Sequence, residues 1–416
     1  MKVPRLRPSF SLGDLFHAAI WREPKSERLF EQSFAEKFGF PYGLFFPYGR
    51  SAVSSLLGAM GWENAEVVLP AYTCVVVPHA IVLSGNKVRF VDCEPNHFNV
   101  SPKAISKILS PSTKMVIPTP LFGYPINSQG YAEAISQKSP EAFILCDAAQ
   151  SYGATGFGKG YFYKADGAFF ALGVGKILCS LYGGMLLLRD KNIFNAVKEF
   201  RDYHFTHPRI NKFLNQLVYG LAVWAAFRDP FLNLASFLER QTNLLYRFTD
   251  YYYGKQGPCL PSDYQERATS LQAKLGMVQL ARYDDIIKRR REIASFYEQV
   301  LSKAGIPIFP TTKGGTYSHF PLVIENRDQV IDELFKMGIQ VGRLIEYACP
   351  DLPGYTNYRG VCPNASWFGA KMINIPIWDG LTHSQAKKTT DALQKLLERN
   401  PNLFPSLSES PKNQDN

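Results

Sequence analysis

Short apolar runs, each ending at a polar or turn-forming residue, recur through the first half of this chain. EVVLP (66–70), KVRFVD (87–92), TKMVIPTP (113–120), FILCD (143–147), AFFALG (168–173) and GMLLLRD (184–190) mark them. A run such as FILC is apolar on both of its faces, so it reads as a buried strand. Stretches with helical spacing lie between them: SAVSSLLGAM (51–60), VVVPHAIVLSG (75–85), SPKAISKIL (101–109) and YAEAISQKS (131–139). Gly85 is the usual kind of C-terminal helix stop. Buried strands joined by helices restrict this part to an α/β domain around a mostly parallel sheet.

Beyond that region the pattern changes. Residues 191–260 are helical and aromatic, and 267–305 reads as one long helical segment stopped by a glycine. TYSHFPLVI (316–324) and MINIPIW (372–378) are strands, and 327–338 and 383–399 are helices. This order predicts a leader with short helices over 1–40 and a large domain over 41–260. A long helix and a smaller α+β C-terminal domain follow over 261–400, with a polar, disordered tail over 401–416. A chain of 416 residues has room for two domains and a sizeable core.

The large domain is expected to carry an apolar helical insertion at about 205–250. Its segment LVYGLAVWAAF (217–227) is too short to span a bilayer, which takes about 20 residues. A buried helix or an oligomer contact is its ordinary reading. A helical hairpin resting on a membrane surface through 213–245 is the sharper one.

Charge and cysteine usage narrow the function. The chain has 46 basic and 36 acidic residues, a formal +10. That balance favours anionic ligands such as nucleotides, or an anionic membrane surface. Apart from Lys288–Arg291 the charge is dispersed, and the basic-plus-aromatic pattern of a nucleic-acid module is missing. The seven cysteines contain no CxxC pair. This points to free thiols in a reducing compartment, against both a disulfide framework and a zinc site. Residues 1–16 lack the apolar core of a signal peptide. The protein is expected to be cytoplasmic, with a peripheral membrane contact as the variant.

In an open parallel sheet, ligands collect at the C-terminal ends of the strands. Asp147 ends FILC, and a lone desolvated carboxylate needs a cation. Tyr72 and Thr73 follow EVVLPA. Gly49, Arg50 and Ser51 precede a helix, whose first N–H groups favour an anion. Lys176 follows AFFALGVG, and paired glycines (183–184) come after it. One acid, one lysine, one phosphate cradle and one aromatic are the inventory of a pyridoxal 5′-phosphate site. The lysine forms the Schiff base, and the acid keeps the pyridine nitrogen protonated so that the ring serves as an electron sink. Asp147 then has its cation. Singly, each feature has a plainer reading, as a helix cap or a solvated lysine; order and spacing carry the case.

That order resembles the DegT/StrS-type family of pyridoxal-phosphate sugar aminotransferases, of the fold type I class, over most of residues 44–400. CDAAQSYGA (146–154) is close to the family's Glu-Asp-Ala-Ala-Gln-x-x-Gly-Ala. PAYTCVVVPHAIVLSGNKVRFVDCEP (70–95) looks like its Pro-x-x-Thr segment. PTPLFGYP (118–125) is similar to its His-x-x-Gly-x-Pro, with Pro120 or Leu121 near the His position. Residues 166–188 keep the spacing from Asp through Lys to the paired Gly. Residues 267–297 resemble the family helix with its Gln-Ala-x-x-Gly-x-x-Gln-Leu core. NIPIWDGLT (374–382) resembles the late Leu-Pro-x-x-x-x-Leu-Thr.

The resemblance implies a fold type I architecture, with a mostly parallel seven-stranded sheet in the large domain. It makes Lys176 the Schiff-base lysine and proton shuttle and pairs Asp147 with the pyridinium. It sets Gln150 by the ring hydroxyl and Gly49, Arg50 and Ser51 at the phosphate. It also implies a homodimer, an amino donor expected to be glutamate, and a keto-sugar acceptor, nucleotide-linked, in cell-surface polysaccharide or related glycan synthesis.

Several positions depart from the family. Tyr48-Gly49-Arg50 stands where Ser-Gly-Thr is usual, and Ala171 replaces a phosphate-binding Ser. Cys74 replaces the stacking aromatic, so Tyr72 is the candidate to cover the ring. Gln265 stands where an Asn reaches the partner's phosphate. Two hydroxyls are lost from the cradle and a guanidinium is gained, so Arg50 is expected to replace them. Arg267, His319 and Arg343 are the candidates for the anionic parts of substrate. The competing readings are a sugar dehydratase, which the resemblance links to a histidine in place of Lys176, and a non-catalytic scaffold on a membrane glycan pathway.

Overall fold

The computed structural model describes residues 2–155, 161–228, 231–232, 257–358 and 361–411. Two helices come first, α1 (Leu12–Ile20) and α2 (Ser26–Lys37). Seven strands then build one sheet: β1 Tyr42–Phe46, β2 Glu66–Pro70, β3 Lys87–Val91, β4 Thr113–Val116, β5 Phe143–Asp147, β6 Gly167–Ala171 and β7 Gly184–Leu188. Their order across the sheet is β3-β2-β4-β5-β6-β7-β1. The pairings from β3 to β6 are parallel, and β7 runs antiparallel to both β6 and β1.

The mostly parallel sheet expected from the alternation is therefore present. Successive residues feed opposite faces. Val67, Leu69, Leu145, Leu186 and Leu188 enter one core, while Val68, Cys146, Met185 and Leu187 enter the other. Burial on both sides is why the strands show no polar alternation. Helices α3 (Gly49–Met60), α4 (Val76–Leu83), α5 (Pro102–Ile108) and α6 (Ser128–Lys138) connect them. Gly85, at φ +78°, follows the end of α4, and the Ser101 hydroxyl accepts from the Ala104 N–H to cap α5.

The first forty residues are bound into both halves of the molecule. Phe30 and Phe34 of α2 are fully buried, edge-on against Phe45 and Phe170. Val3 forms a parallel bridge with Ile339.

Helices α7 (Lys191–His204) and α8 (Ile210–Ala226) follow the sheet. One face of α8 packs on α1, where a Cβ at Gly220 would come within 3.0 Å of the Leu15 side chain. Ile210, Leu214 and Val218 on it are exposed. Among the described residues no helix is long and apolar enough to cross a membrane. The second arm of the expected hairpin falls largely on 233–256, outside the described residues.

The single long helix expected over 267–305 is two, α9 (Ser270–Leu280) and α10 (Tyr283–Lys303). Their contacts explain the break. On α9, Gln272 Nε2 donates to the Tyr182 carbonyl at 2.7 Å, and Gln279 Oε1 accepts from the Cys179 N–H at 2.9 Å. A Cβ at Gly276 would lie 2.4 Å from the Phe30 ring, so α9 is seated on the large domain. Tyr297 of α10 packs instead on Phe320 of the smaller domain.

That domain holds the antiparallel pair β8 (Phe320–Val323) and β9 (Met372–Ile375), with α11 (Arg327–Lys336), α12 (Pro363–Lys371) and α13 (His383–Arg399). Both strands are shorter than their sequence runs. Residues 401–411, expected to be disordered, are folded into short 3₁₀ turns. Leu403 and Phe404 are buried there, two apolar anchors within a polar stretch.

Candidate active site

Asp147, the last residue of β5, is only 5% exposed. Burial pushes its carboxyl pKa up to about 6, against the pull of the Ala149 N–H, 2.9 Å from Oδ1, and of the Lys176 charge. Its backbone is clamped on both sides. Its N–H donates to the Pro118 carbonyl at 2.9 Å, and its carbonyl accepts from the Tyr161 hydroxyl at 2.7 Å. The same hydroxyl lies 3.0 Å from the Pro118 carbonyl, joining the ends of β4 and β5. Tyr161 was not a sequence candidate, and no motif marks it.

Lys176 is half-buried in the turn after β6, its N–H donating to the Gly173 carbonyl at 3.0 Å. Desolvation lowers its pKa, while Cys74 and Asp147 raise it. Cys74, half-buried, therefore belongs to the same cleft. An acid pushed up and a lysine pushed down, in one site, is the arrangement acid–base chemistry needs.

Gln150, three residues after Asp147, is buried, and its Oε1 accepts the Phe122 N–H at 2.9 Å. Phe122 has φ +57°, a left-handed conformation costly for a residue with a side chain. Asn99 holds the preceding Leu121 N–H at 2.9 Å. The strained turn places the Phe122 ring edge-on to His319, 6.1 Å between centroids. Burial and then the charges of Lys176, Arg290 and Arg5 hold the His319 pKa well below its ordinary value. His319 is thus a neutral side chain facing the lysine.

The segment expected to hold an anion, Gly49, Arg50 and Ser51, forms the first turn of α3. Among the described residues no side chain caps it, so its leading N–H groups are available to a phosphate. Space is made by glycines. A Cβ at Gly49 would lie 3.2 Å from the Phe170 carbonyl oxygen and 3.3 Å from the Ala171 Cβ. A Cβ at Gly184 would lie 2.4 Å from the backbone of Tyr48 and Gly49. The paired glycines let the helix start sit against β6 and β7.

Arg50 is 4% exposed, its guanidinium carbon 5.5 Å from the Tyr48 ring centre, so it does not go to solvent. The buried Ser51 hydroxyl donates to the Tyr264 carbonyl at 2.7 Å, and the Tyr48 hydroxyl to Asp263 at 2.8 Å. The Gln265 carbonyl accepts the Thr206 N–H at 2.9 Å. Asp263 and Tyr264 therefore touch the start of α3, while the described contact of Gln265 is with Thr206.

Three expected site residues are placed elsewhere. Tyr72 is wholly buried between Phe122 and Phe368, its hydroxyl donating to the Ile345 carbonyl at 3.0 Å; it packs the core under the cleft and does not cover a ring there. Arg267 is paired with Asp202 and, at 4.0 Å, with Glu27, in an ion network around Arg201. Arg343 is paired with Asp328 at 2.8 Å and Glu346 at 3.5 Å on the outside of the small domain. Each cation is neutralised by carboxylates of its own neighbourhood. His319 is brought to Lys176; Arg267 and Arg343 are not.

A buried acid and a half-buried lysine beside an uncapped helix start, on a sheet of this order, define a pyridoxal-phosphate enzyme of fold type I. The chain belongs to the DegT/DnrJ/EryC1/StrS aminotransferase family, which it matches over residues 12–394. It is 25% identical over 362 residues to the GDP-perosamine synthase of Escherichia coli O157:H7, covering 86% of each chain. It is 23% identical over 364 residues to the dTDP-4-amino-4,6-dideoxy-D-glucose transaminase of Shigella dysenteriae, covering 85% of each. Among solved structures, the aminotransferase TlmJ of Streptoalloteichus hindustanus superposes with a TM-score of 0.73 at 20% identity, over 95% of this chain and 99% of that one.

The donor set fits pyridoxal 5′-phosphate. Asp147 suits the pyridine nitrogen, because a cation there removes the cost of its buried charge. Lys176 suits the attachment point, and the glycine-lined start of α3 with Arg50 suits the phosphate.

Proposed function

We propose that this protein moves an amino group from glutamate to the carbonyl carbon of a nucleotide-linked keto-sugar, for cell-surface polysaccharide or a related glycan. The observation that carries this reading is the opposed perturbation of Asp147 and Lys176 in one cleft. When bound, pyridoxal phosphate supplies an electron sink for the carbon that loses its proton. The chain supplies the rest. Asp147 keeps a proton on the ring nitrogen. Lys176, an amine of lowered pKa, carries the proton at the reacting carbon. Arg50 and the first N–H groups of α3 hold the phosphate, and the Phe122 turn walls the site.

The retained Lys176 favours amino transfer over sugar dehydration. The names of the two curated relatives, both concerned with nucleotide-linked amino sugars, support a nucleotide carrier. The formal +10 suits so anionic a substrate. A homodimer, as the family resemblance implies, in the reducing compartment that the unpaired cysteines point to, completes the proposal.

The test is an absorbance spectrum of the purified protein with and without glutamate. A band near the visible edge that shifts on adding glutamate and is missing from Lys176→Ala is expected. A colourless protein that also takes up no added cofactor overturns the proposal.

A further inference from the structure

Strand β9 carries a polar side chain with nothing to hold. Asn374 is 4% exposed, and neither Oδ1 nor Nδ2 has a hydrogen-bond partner among the described residues. Buried amides are nearly always paired, so an orphaned one calls for a ligand or an ordered water.

The strand geometry shows which way Asn374 faces. Gly342 and Asn374 are directly opposed and exchange both backbone hydrogen bonds, at 2.9 and 2.8 Å. Opposed residues present their Cβ positions to the same face. A Cβ at Gly342 would lie 3.6 Å from Arg5 Cδ. The Arg5 side chain therefore crosses the small sheet on the Asn374 face.

The other face is the core, where Phe320, Leu322, Ile373 and Ile375 are buried and Phe320 meets Tyr297. Alternation then puts Pro321, opposite Asn374, and His319 on the Asn374 face. His319 looks across at Phe122. One face of the small domain thus gathers Arg5, Asn374 and His319 towards the lysine. Burial is the main cause of the lowered His319 pKa, and the added repulsion from Lys176, Arg290 and Arg5 agrees with that convergence of positive charge. Arg290 is fixed by the carbonyls of Tyr317, Ser318 and Ile377 at 3.1–3.2 Å.

We propose that Arg5 and Asn374 hold a carboxylate of the amino donor. The guanidinium supplies the charge and Asn374 Nδ2 a directed N–H. Two planar donor groups side by side suit a planar carboxylate. This subsite rests on the amino-transfer reading above and gives the donor half of the reaction its anchor. It also gives the segment before α1 a role in selecting substrate.

The experiment is calorimetric titration of the cofactor-loaded protein with glutarate, a dicarboxylate with no amino group, and separately with GDP. Glutarate binding should weaken about 10- to 100-fold in Asn374→Leu and in Arg5→Gln, the loss of a charge-assisted hydrogen bond. Arg5→Lys should keep part of it, and GDP binding should not move. The glutamate KM should rise by a similar factor with the keto-sugar KM unchanged. Arg5→Lys decides the matter if Asn374→Leu fails to fold. Glutarate binding that is absent from the wild type, or equal in all variants, overturns the subsite. A loss of GDP binding instead of glutarate binding assigns these residues to the sugar carrier and overturns it as well. A wild-type spectrum indifferent to glutamate sinks the transfer reading, and the glutarate titration stays readable without it.

Discussion

At the proposed ring end of the cleft the polar anchors are tied to backbone. Asp147 is fixed by Pro118, Ala149 and Tyr161, and Gln150 holds the Phe122 turn. At the proposed phosphate end the anchors differ from those the family resemblance implies. Ala171 offers no hydroxyl, the Ser51 hydroxyl donates to Tyr264, and a buried Arg50 stands in the first turn of α3. The difference follows from what each end must do. The ring end sets protonation and the direction of proton transfer, which tolerate little displacement. The phosphate end needs positive potential and N–H groups, and one guanidinium can supply what two hydroxyls did.

The largest effect should come from breaking the ring end. Asp147→Asn should lower turnover of the loaded enzyme by about 10²- to 10³-fold, in steady-state kinetics. Without cofactor the same change should stabilise. The Asp147 pKa is raised from 3.8 to about 6, so its contribution to stability is full below 3.8 and lost as pH rises through 6. Cofactor-free Asp147→Asn should exceed cofactor-free wild type by on the order of 3 kcal/mol at pH 8, and the gap should close near pH 4 in urea titrations. A constant gap at all pH values would mean that the carboxyl is not desolvated.

A smaller effect is expected at the other end. Arg50→Ala should weaken pyridoxal phosphate binding about 10- to 100-fold and leave binding of phosphate-free pyridoxal unchanged. Arg50→Lys should recover only part, since lysine lacks the planar fork. Equal losses for both ligands would remove Arg50 from the cradle. The smallest effect is expected outside the cleft. Arg343→Ala breaks an exposed pair with Asp328 and should change stability by less than about 1 kcal/mol, with kcat/KM unaltered. A fall in kcat/KM would return Arg343 to the substrate.

The contrast also separates what could be read from the sequence. The strands were legible because two-sided burial leaves an unbroken apolar run, as in FILCD and GMLLL. Asp147 and Lys176 stood out as candidates because Asp147 closes such a run and Lys176 follows the next one in a turn. Tyr72 was misread because position along the chain does not tell which way a residue after a strand points. Arg267 was misread because Asp202, which neutralises it, lies on a different helix. The break between α9 and α10 was hidden because Ala281-Arg282 contains no Gly or Pro. Tyr161, Arg5 and Asn374 had no local signal at all, since each reaches the site through pairing between distant strands or turns.

The bridge between Val3 and Ile339 has a consequence for how the chain is made. On the ribosome, residue 3 is finished long before residue 339 exists. The large sheet needs nothing beyond Leu188 for its strands, so it can form while the opening segment still waits for its partner. Closing so long a loop is slow. The Arg5 side of the cleft should therefore be the last part of the molecule to mature, and a nascent chain would expose an unfinished edge until the small domain emerges.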